Sequence, residues 1–239
     1  MDYEKTSFFL SFCFLITVVT ANFLSAPGSS YQRQPVYFIE DSHSVVFFTF
    51  NVLWEKEHLG EILEILDKYE VMAVFFLAGE WLKKYPQEAQ SIIEHGHEIG
   101  NNTYSRSRLI LLEEEKIEKE IIKFNTLSRE LLGYHPSFFR PPYGEYNARI
   151  VRIAGKEDCI TVLWSINSLM LSGMESELII GRMEEQFHDG AVILFHTSSP
   201  NILNTLPEII EILHWKGYTI GSPDLLLEQA EKQLIINRR

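Results

Sequence analysis

The chain has 239 residues, 46% of them hydrophobic and 23% charged, which is enough apolar material for one sizeable buried core. Its 33 acidic residues outnumber 21 basic ones, for a formal net charge of −12. That balance argues against a nucleic-acid binder or a protein held by an anionic membrane surface, since both need a basic patch.

In chain order, the first feature is "FFLSFCFLITVVTANFL" (residues 8–24), an uncharged apolar run followed by the turn-forming "SAPGSS". A secretory signal fits, with Val19-Thr20-Ala21 or Leu24-Ser25-Ala26 as cleavage sites, and so does an N-terminal membrane anchor. The run is long for a signal core and short of the roughly 20 residues of a membrane span. Its leader "MDYEK" is acidic, so orientation is weakly specified. The segment 1–30 is therefore expected to act as signal or tether plus linker. The domain of residues 31–239 is expected to work outside the cytoplasmic membrane, secreted or anchored.

Beyond the linker the chain alternates two patterns. "SVVFFTFNV", "VMAVFFLAG", "HEIGNNT", "SFFRPPYG", "CITVLWSIN", "AVILFHT" and "YTIGS" read as strands. Between them, "EHLGEILEILDKYE", "EWLKKYPQEAQSIIEHG" (interrupted by Pro86), "LEEEKIEKEIIKFNTLSRELLG", "NARIVRIAGKE", "ESELIIGRMEEQFHDG", "TLPEIIEILHWKG" and "PDLLLEQAEKQLII" carry helical spacing. Strands apolar on both faces and separated by helices describe a parallel sheet, and about seven such units predict a single barrel-like α/β domain. Cys13 and Cys159 lie far apart in sequence without His or Cys neighbours at metal-ligand spacing, so both read as small buried hydrophobes.

Ligand sites of parallel α/β domains lie at the carboxyl ends of the strands. Reading those ends in order gives Asn51, Asn102, Arg140, Ser165 with Asn167, and His196. Five strands thus deliver polar groups to one rim. Tyr143, Trp54 and Trp164 stand nearby as aromatic faces on which a sugar ring could stack, while amides and guanidinium pair with hydroxyl and acetamido groups.

The motifs "FFRPPYGEYN", "VILFHT" and the stretch from Lys68 to Ser105 resemble the polysaccharide deacetylase (NodB-homology) family, over about Ser44 to Leu227. The resemblance implies an α/β fold, a distorted (β/α)7 barrel. It implies metal-assisted hydrolysis, with a divalent ion such as zinc, of N-acetyl groups on a GlcNAc-containing glycan such as peptidoglycan or chitin. In that pattern the first strand ends in an Asp-Asp pair, base and metal ligand, and the third supplies two metal-binding His. An Arg-Pro-Pro-Tyr loop positions the base, and a late His acts as general acid. Carried over, Arg140, Pro141, Pro142, Tyr143, Gly144 and His196 are retained. The base position is Asn51, the vacated ligand positions are Val52, Asn102 and Arg106, and Ser165 and Asn167 replace the later carboxylates.

Elementary chemistry says what these exchanges cost. An amide takes no proton at neutral pH, and general-base catalysis is worth about 10²–10⁴ in rate. Zinc prefers thiolate, imidazole or carboxylate, none of which remains at these positions. A guanidinium about 4 Å from a divalent ion, at an effective dielectric near 20, is repelled by roughly 8 kcal/mol. Without the ion, bound water returns from a pKa near 7 toward 15.7, about 12 kcal/mol of lost activation. Glu55, Glu57 and His58 follow the first strand, either opening a helix whose dipole favours acids or reaching the rim as substitutes. His97 precedes the rim by several residues and is expected to be structural.

Three readings follow from the sequence. The first is a noncatalytic family member with no cofactor, binding an N-acetylated cell-envelope glycan or a protein partner at the mouth. In it, Tyr143, Pro142, Trp164 and Asn167 line the substrate site. The second is an active deacetylase with a rearranged site, and the third a structural or regulatory envelope protein.

Overall fold

The computed structural model describes residues 34–52, 58–168 and 175–236. The N-terminal apolar run with Cys13, and Trp54, Glu55 and Glu57, lie outside the described residues.

Strand β1 (Val45–Val52) is the axis of the sheet. Helix α1 (Leu59–Lys68) leads to β2 (Val74–Leu77), and α2 (Gly79–Lys84) and α3 (Pro86–Glu94) lead to β3 (Glu98–Asn101). Pro86 divides what the spacing presents as one helix and takes the first position of the second, where a missing N–H is harmless. Helix α4 (Glu114–Leu132) stops at Gly133 in the left-handed region (φ 64), as its position in the sequence predicts. Then come β4 (Phe138–Phe139), α5 (Ala148–Lys156), β5 (Ile160–Thr161), β6 (Ile166–Asn167), α6 (Ser176–Glu184), β7 (Val192–His196), α7 (Ile202–Trp215), β8 (Thr219–Gly221) and α8 (Pro223–Ile236).

Neighbouring strands run in the order β5-β4-β3-β2-β1-β7-β6, every pairing parallel, and β8 pairs with Val45–Phe47 of β1. The stretch "CITVLWSIN", expected as one strand, is two, and they stand at opposite ends of that order. Only four residues lie between Thr161 and Ile166, so five chain steps reach at most about 18 Å and the sheet must curl until its edges nearly meet. The result is the distorted parallel α/β barrel that the resemblance implies, left open as a half-barrel.

A strap crosses the seam. Val36 N donates to Thr161 O (2.9 Å), Leu163 N donates to Val36 O (2.8 Å), and Ile39 N donates to Gly190 O (2.9 Å). Residue 190 has φ +72, and a Cβ there would lie 1.8 Å from the Ile39 carbonyl oxygen, so glycine is required.

Alternation along the strands sorts side chains into two layers. Val46, Phe48, Phe50 and Val52 of β1 join Phe75, Leu77, Ile193 and Phe195 in the cluster beneath α1, α3 and α7. Phe47, Val74, Phe76, Phe138, Val162 and Val192 fill the barrel interior, together with Leu226 and Ala230 of α8. The odd-numbered column of β1 therefore runs Phe47, Thr49, Asn51, apolar deep inside and polar toward the mouth.

Candidate functional site

Asn51, next to last in β1, and His196, the last residue of β7, lie opposite each other in the register. Arg140 follows β4 and is fully buried. Its Nη1 donates to Asn51 Oδ1 (3.1 Å), its Nη2 to Thr49 Oγ1 (3.0 Å) and Leu163 O (2.8 Å), and its Nε to Val162 O (3.1 Å). The guanidinium lies over the Phe76 ring at 3.9 Å and the Trp164 ring at 5.4 Å. Every one of these partners is neutral. A buried cation whose hydrogen bonds are met but whose charge is uncompensated is costly, and burial pushes the Arg140 pKa well below its ordinary range.

The loop after β3 builds the second part of the mouth. Asn102 Nδ2 donates to Arg140 O (2.8 Å), and Arg106 Nε donates to Asn102 Oδ1 (3.0 Å). The two positions that the resemblance aligns with metal-binding His thus bond to each other through an amide and a guanidinium. Arg106 is 8% exposed and burial lowers its pKa. Its Cζ lies 5.6 Å from the ring of Tyr143, which is 58% exposed at the rim.

Strain concentrates here: Thr103 (φ 65), Arg106 (φ 56) and Tyr143 (φ 62) all adopt left-handed backbone, and a β-branched residue in that region is a true outlier. Asn101 holds the loop, accepting from Thr103 N (2.7 Å) and donating to Ile121 O (3.0 Å) and Asn125 Oδ1 (2.8 Å) of α4. Thr103 Oγ1 in turn accepts from Arg106 N (3.0 Å).

His196 is 5% exposed, and its Nδ1 has no hydrogen-bond partner among the described residues. Its pKa is lowered to about 4, by burial first and then by the Arg140 and Arg106 guanidinium groups. The imidazole is therefore neutral at pH 7 and stands in the positive field of two buried cations.

Not every rim residue expected from the sequence arrives there. Asn51, Asn102, Arg106, Arg140 and His196 do, with Trp164 over Arg140 and the buried Pro142 opening the turn that presents Tyr143. Val52 does not: it points to the opposite face and packs in the helix-facing apolar cluster. Asn167, the last residue of β6, lies in the wall of a cavity of about 640 Å³ with Glu177, Leu178 and Arg182 of α6. Ser165 Oγ lies 2.9 Å from His188 Nε2. His97 is structural as expected, accepting from Ala73 N (3.3 Å) and packed on Phe75. Cys159 is buried, as its reading required. Sequence reasoning missed Thr49 and Asn101. The signal for Thr49 was available, a polar residue two positions before Asn51 in an otherwise apolar strand.

A divalent ion does not fit this set. Among the described residues no group of three or more His, Cys, Asp or Glu stands where it could hold a metal. Asn102 and Arg106 are committed to each other instead, and a guanidinium repels the ion.

The fold and the mouth together are a half-open parallel α/β barrel whose strand ends present amides and guanidinium groups. The chain belongs to the polysaccharide deacetylase family, which matches residues 39–159. It is 34% identical to a peptidoglycan-N-acetylglucosamine deacetylase of Bacillus cereus, over 72% of this chain and 64% of that protein. It is 31% identical to the uncharacterized protein YlxY of Bacillus subtilis, over 84% of this chain and 63% of the relative. The chain thus spans less than two thirds of the length of these two relatives. A crystal structure of a carbohydrate esterase family 4 pseudoenzyme from Bacillus anthracis superposes with a TM-score of 0.79, at 29% identity, covering 83% of this chain and 70% of that one. A mutant of the same protein has restored enzymatic activity and superposes equally well.

Proposed function

We propose that this chain is a noncatalytic deacetylase-family protein of the cell envelope that binds an N-acetylated glycan through the barrel mouth. The observation that carries the reading is the Arg106–Asn102 bond, which occupies both positions where the family's third strand supplies metal ligands. Asn51, bonded to Arg140, stands where the base would be and accepts no proton at neutral pH. His196 retains a general acid's position without a base or an ion to complete the reaction. Similarity to peptidoglycan deacetylases supports a GlcNAc-containing glycan as the ligand, and similarity to a pseudoenzyme supports the absence of turnover. Tyr143, exposed and fixed in strained backbone, supplies the ring face for a sugar.

The test is metal analysis of the purified protein, acetate release from N-acetylated glycan oligomers, and calorimetric binding of the same oligomers. The reading expects no stoichiometric transition metal, no acetate, and binding weakened by Tyr143→Ala. A stoichiometric metal accompanied by acetate release would replace it with the active-deacetylase reading. Loss of all glycan binding would leave a structural or regulatory role.

A further inference from the structure

The turn that presents Tyr143 is short and strained. Tyr143 (φ 62) and Gly144 (φ 71) are consecutive left-handed residues. Gly144 N donates to Pro141 O (3.1 Å) and Glu145 N to Pro142 O (3.2 Å). On one side, Tyr146 Oη accepts from Tyr37 Oη of the strap (3.0 Å). On the other, Glu145 meets the loop after β3: Arg108 Nε donates to Glu145 Oε2 (2.9 Å) and Arg108 Nη2 to Glu145 Oε1. Both carboxylate oxygens thus engage one planar fork, a geometry that fixes orientation as well as distance. These hydrogen bonds, more than charge alone, raise the Arg108 pKa and lower that of Glu145, so both stay ionised.

Arg108 gives the fork a firm base, because the next residue, Leu109, is buried among side chains of α4 and α5. Two residues before Arg108, the Arg106 guanidinium lies 5.6 Å from the ring of Tyr143, itself two residues before Glu145. The two loops are therefore joined twice, once through the ring and once through the ion pair. That pair is open to solvent ions, with side chains 56% exposed at Arg108 and 26% at Glu145. We propose that Arg108 and Glu145 are positioning residues that hold the Tyr143 ring at the rim, so that affinity for glycan depends on this exposed pair and falls as salt rises. This rests on the glycan-binding reading above, in which Tyr143 supplies the stacking face. Neither residue is assigned a contact with the sugar; their effect passes through the ring.

The probe is a neutral oligomer of N-acetylglucosamine, titrated calorimetrically into the whole protein. Sodium chloride is set at about 0.01 M and about 1 M, which shortens the Debye length from about 30 Å to about 3 Å. An uncharged ligand brings no ion pairing of its own, so a loss of affinity reports on the protein. Affinity should fall about threefold at the higher salt, the scale of one exposed ion pair. Glu145→Gln, Arg108→Gln and the double variant should each show that same loss at low salt, and no further loss at high salt. Adding Glu145→Gln to Tyr143→Ala should cost nothing more. Equal affinity at both salts in the unaltered protein overturns the proposal without any variant, and leaves glycan binding standing. So does a double variant that loses the product of the two single losses, because the residues would then act separately. Salt dependence that persists in Glu145→Gln, with circular dichroism unchanged, overturns it too. An unaltered protein that binds no oligomer, or binds it equally well after Tyr143→Ala, defeats the underlying reading and this proposal with it.

Discussion

Asn51→Asp should stabilise the protein, although it places a charge in a buried position. Arg140 is fully buried and its acceptors are all neutral, so the folded state carries an uncompensated cation. A carboxylate taking the place of the Asn51 amide, 3.1 Å from Nη1, gains about 5 kcal/mol of Coulomb energy at an effective dielectric near 20. Desolvating the new carboxylate costs several kcal/mol, and the pair is further reinforced by Thr49 in the same column. The net expectation is a gain of about 2 kcal/mol, or about 4–8 °C in melting temperature for a domain of this size. The new acid would have its pKa depressed by Arg140. Its contribution is therefore complete above the unfolded carboxylate value near 3.9 and disappears as pH falls through the lower folded value. Urea denaturation of both proteins at pH 7 and at pH 3 reads the difference. A variant no more stable than the parent at pH 7 would refute the reading of Arg140 as an uncompensated charge.

Val52→Asp, one residue further along, should have the opposite effect. Its side chain is buried in the helix-facing cluster, so an unpaired carboxylate there should cost about 3 kcal/mol or more in the same urea assay. His97 and His196, each with a pKa lowered to about 4, should make stability fall with acid. The unfolded state takes up the protons first, so stability is complete above pH 6.5 and declines toward pH 4, by up to about 3 kcal/mol per imidazole. His97→Gln should flatten that decline when midpoints at pH 7 and pH 5 are compared. Tyr143→Gly should relieve the left-handed strain and leave stability unchanged or raised by about 1 kcal/mol, while weakening glycan binding. A loss of stability would place the ring in the packing of the rim instead.

The fold was legible because its strands are long apolar runs separated by strongly periodic helices, and α4 even announces its end with Gly133. What escaped was geometry that depends on closure. Nothing local in "CITVLWSIN" says that the chain leaves one sheet edge at Thr161 and resumes at the other at Ile166. Only the curled sheet, needing both edges served by one segment, makes that break. Strand-end reasoning found Asn51, Asn102, Arg140 and His196, because each follows directly from where its strand stops. Val52, carried over from the resemblance as a vacated ligand position, packs its own side chain in the helix-facing cluster. Asn101 was hidden by its neighbour: of two consecutive Asn, one faces the mouth and the other anchors the loop to α4.

The strap at Val36–Ile39 gives the domain a working start earlier than the family match at residue 39 would place it. A recombinant version beginning at residue 40 would leave the Thr161 carbonyl and the Leu163 amide open to solvent along an unzipped groove. Exposed strand margins of that kind recruit other chains, so such a version should precipitate or self-associate. The four residues of the strap thus set the shortest fragment expected to stay in solution.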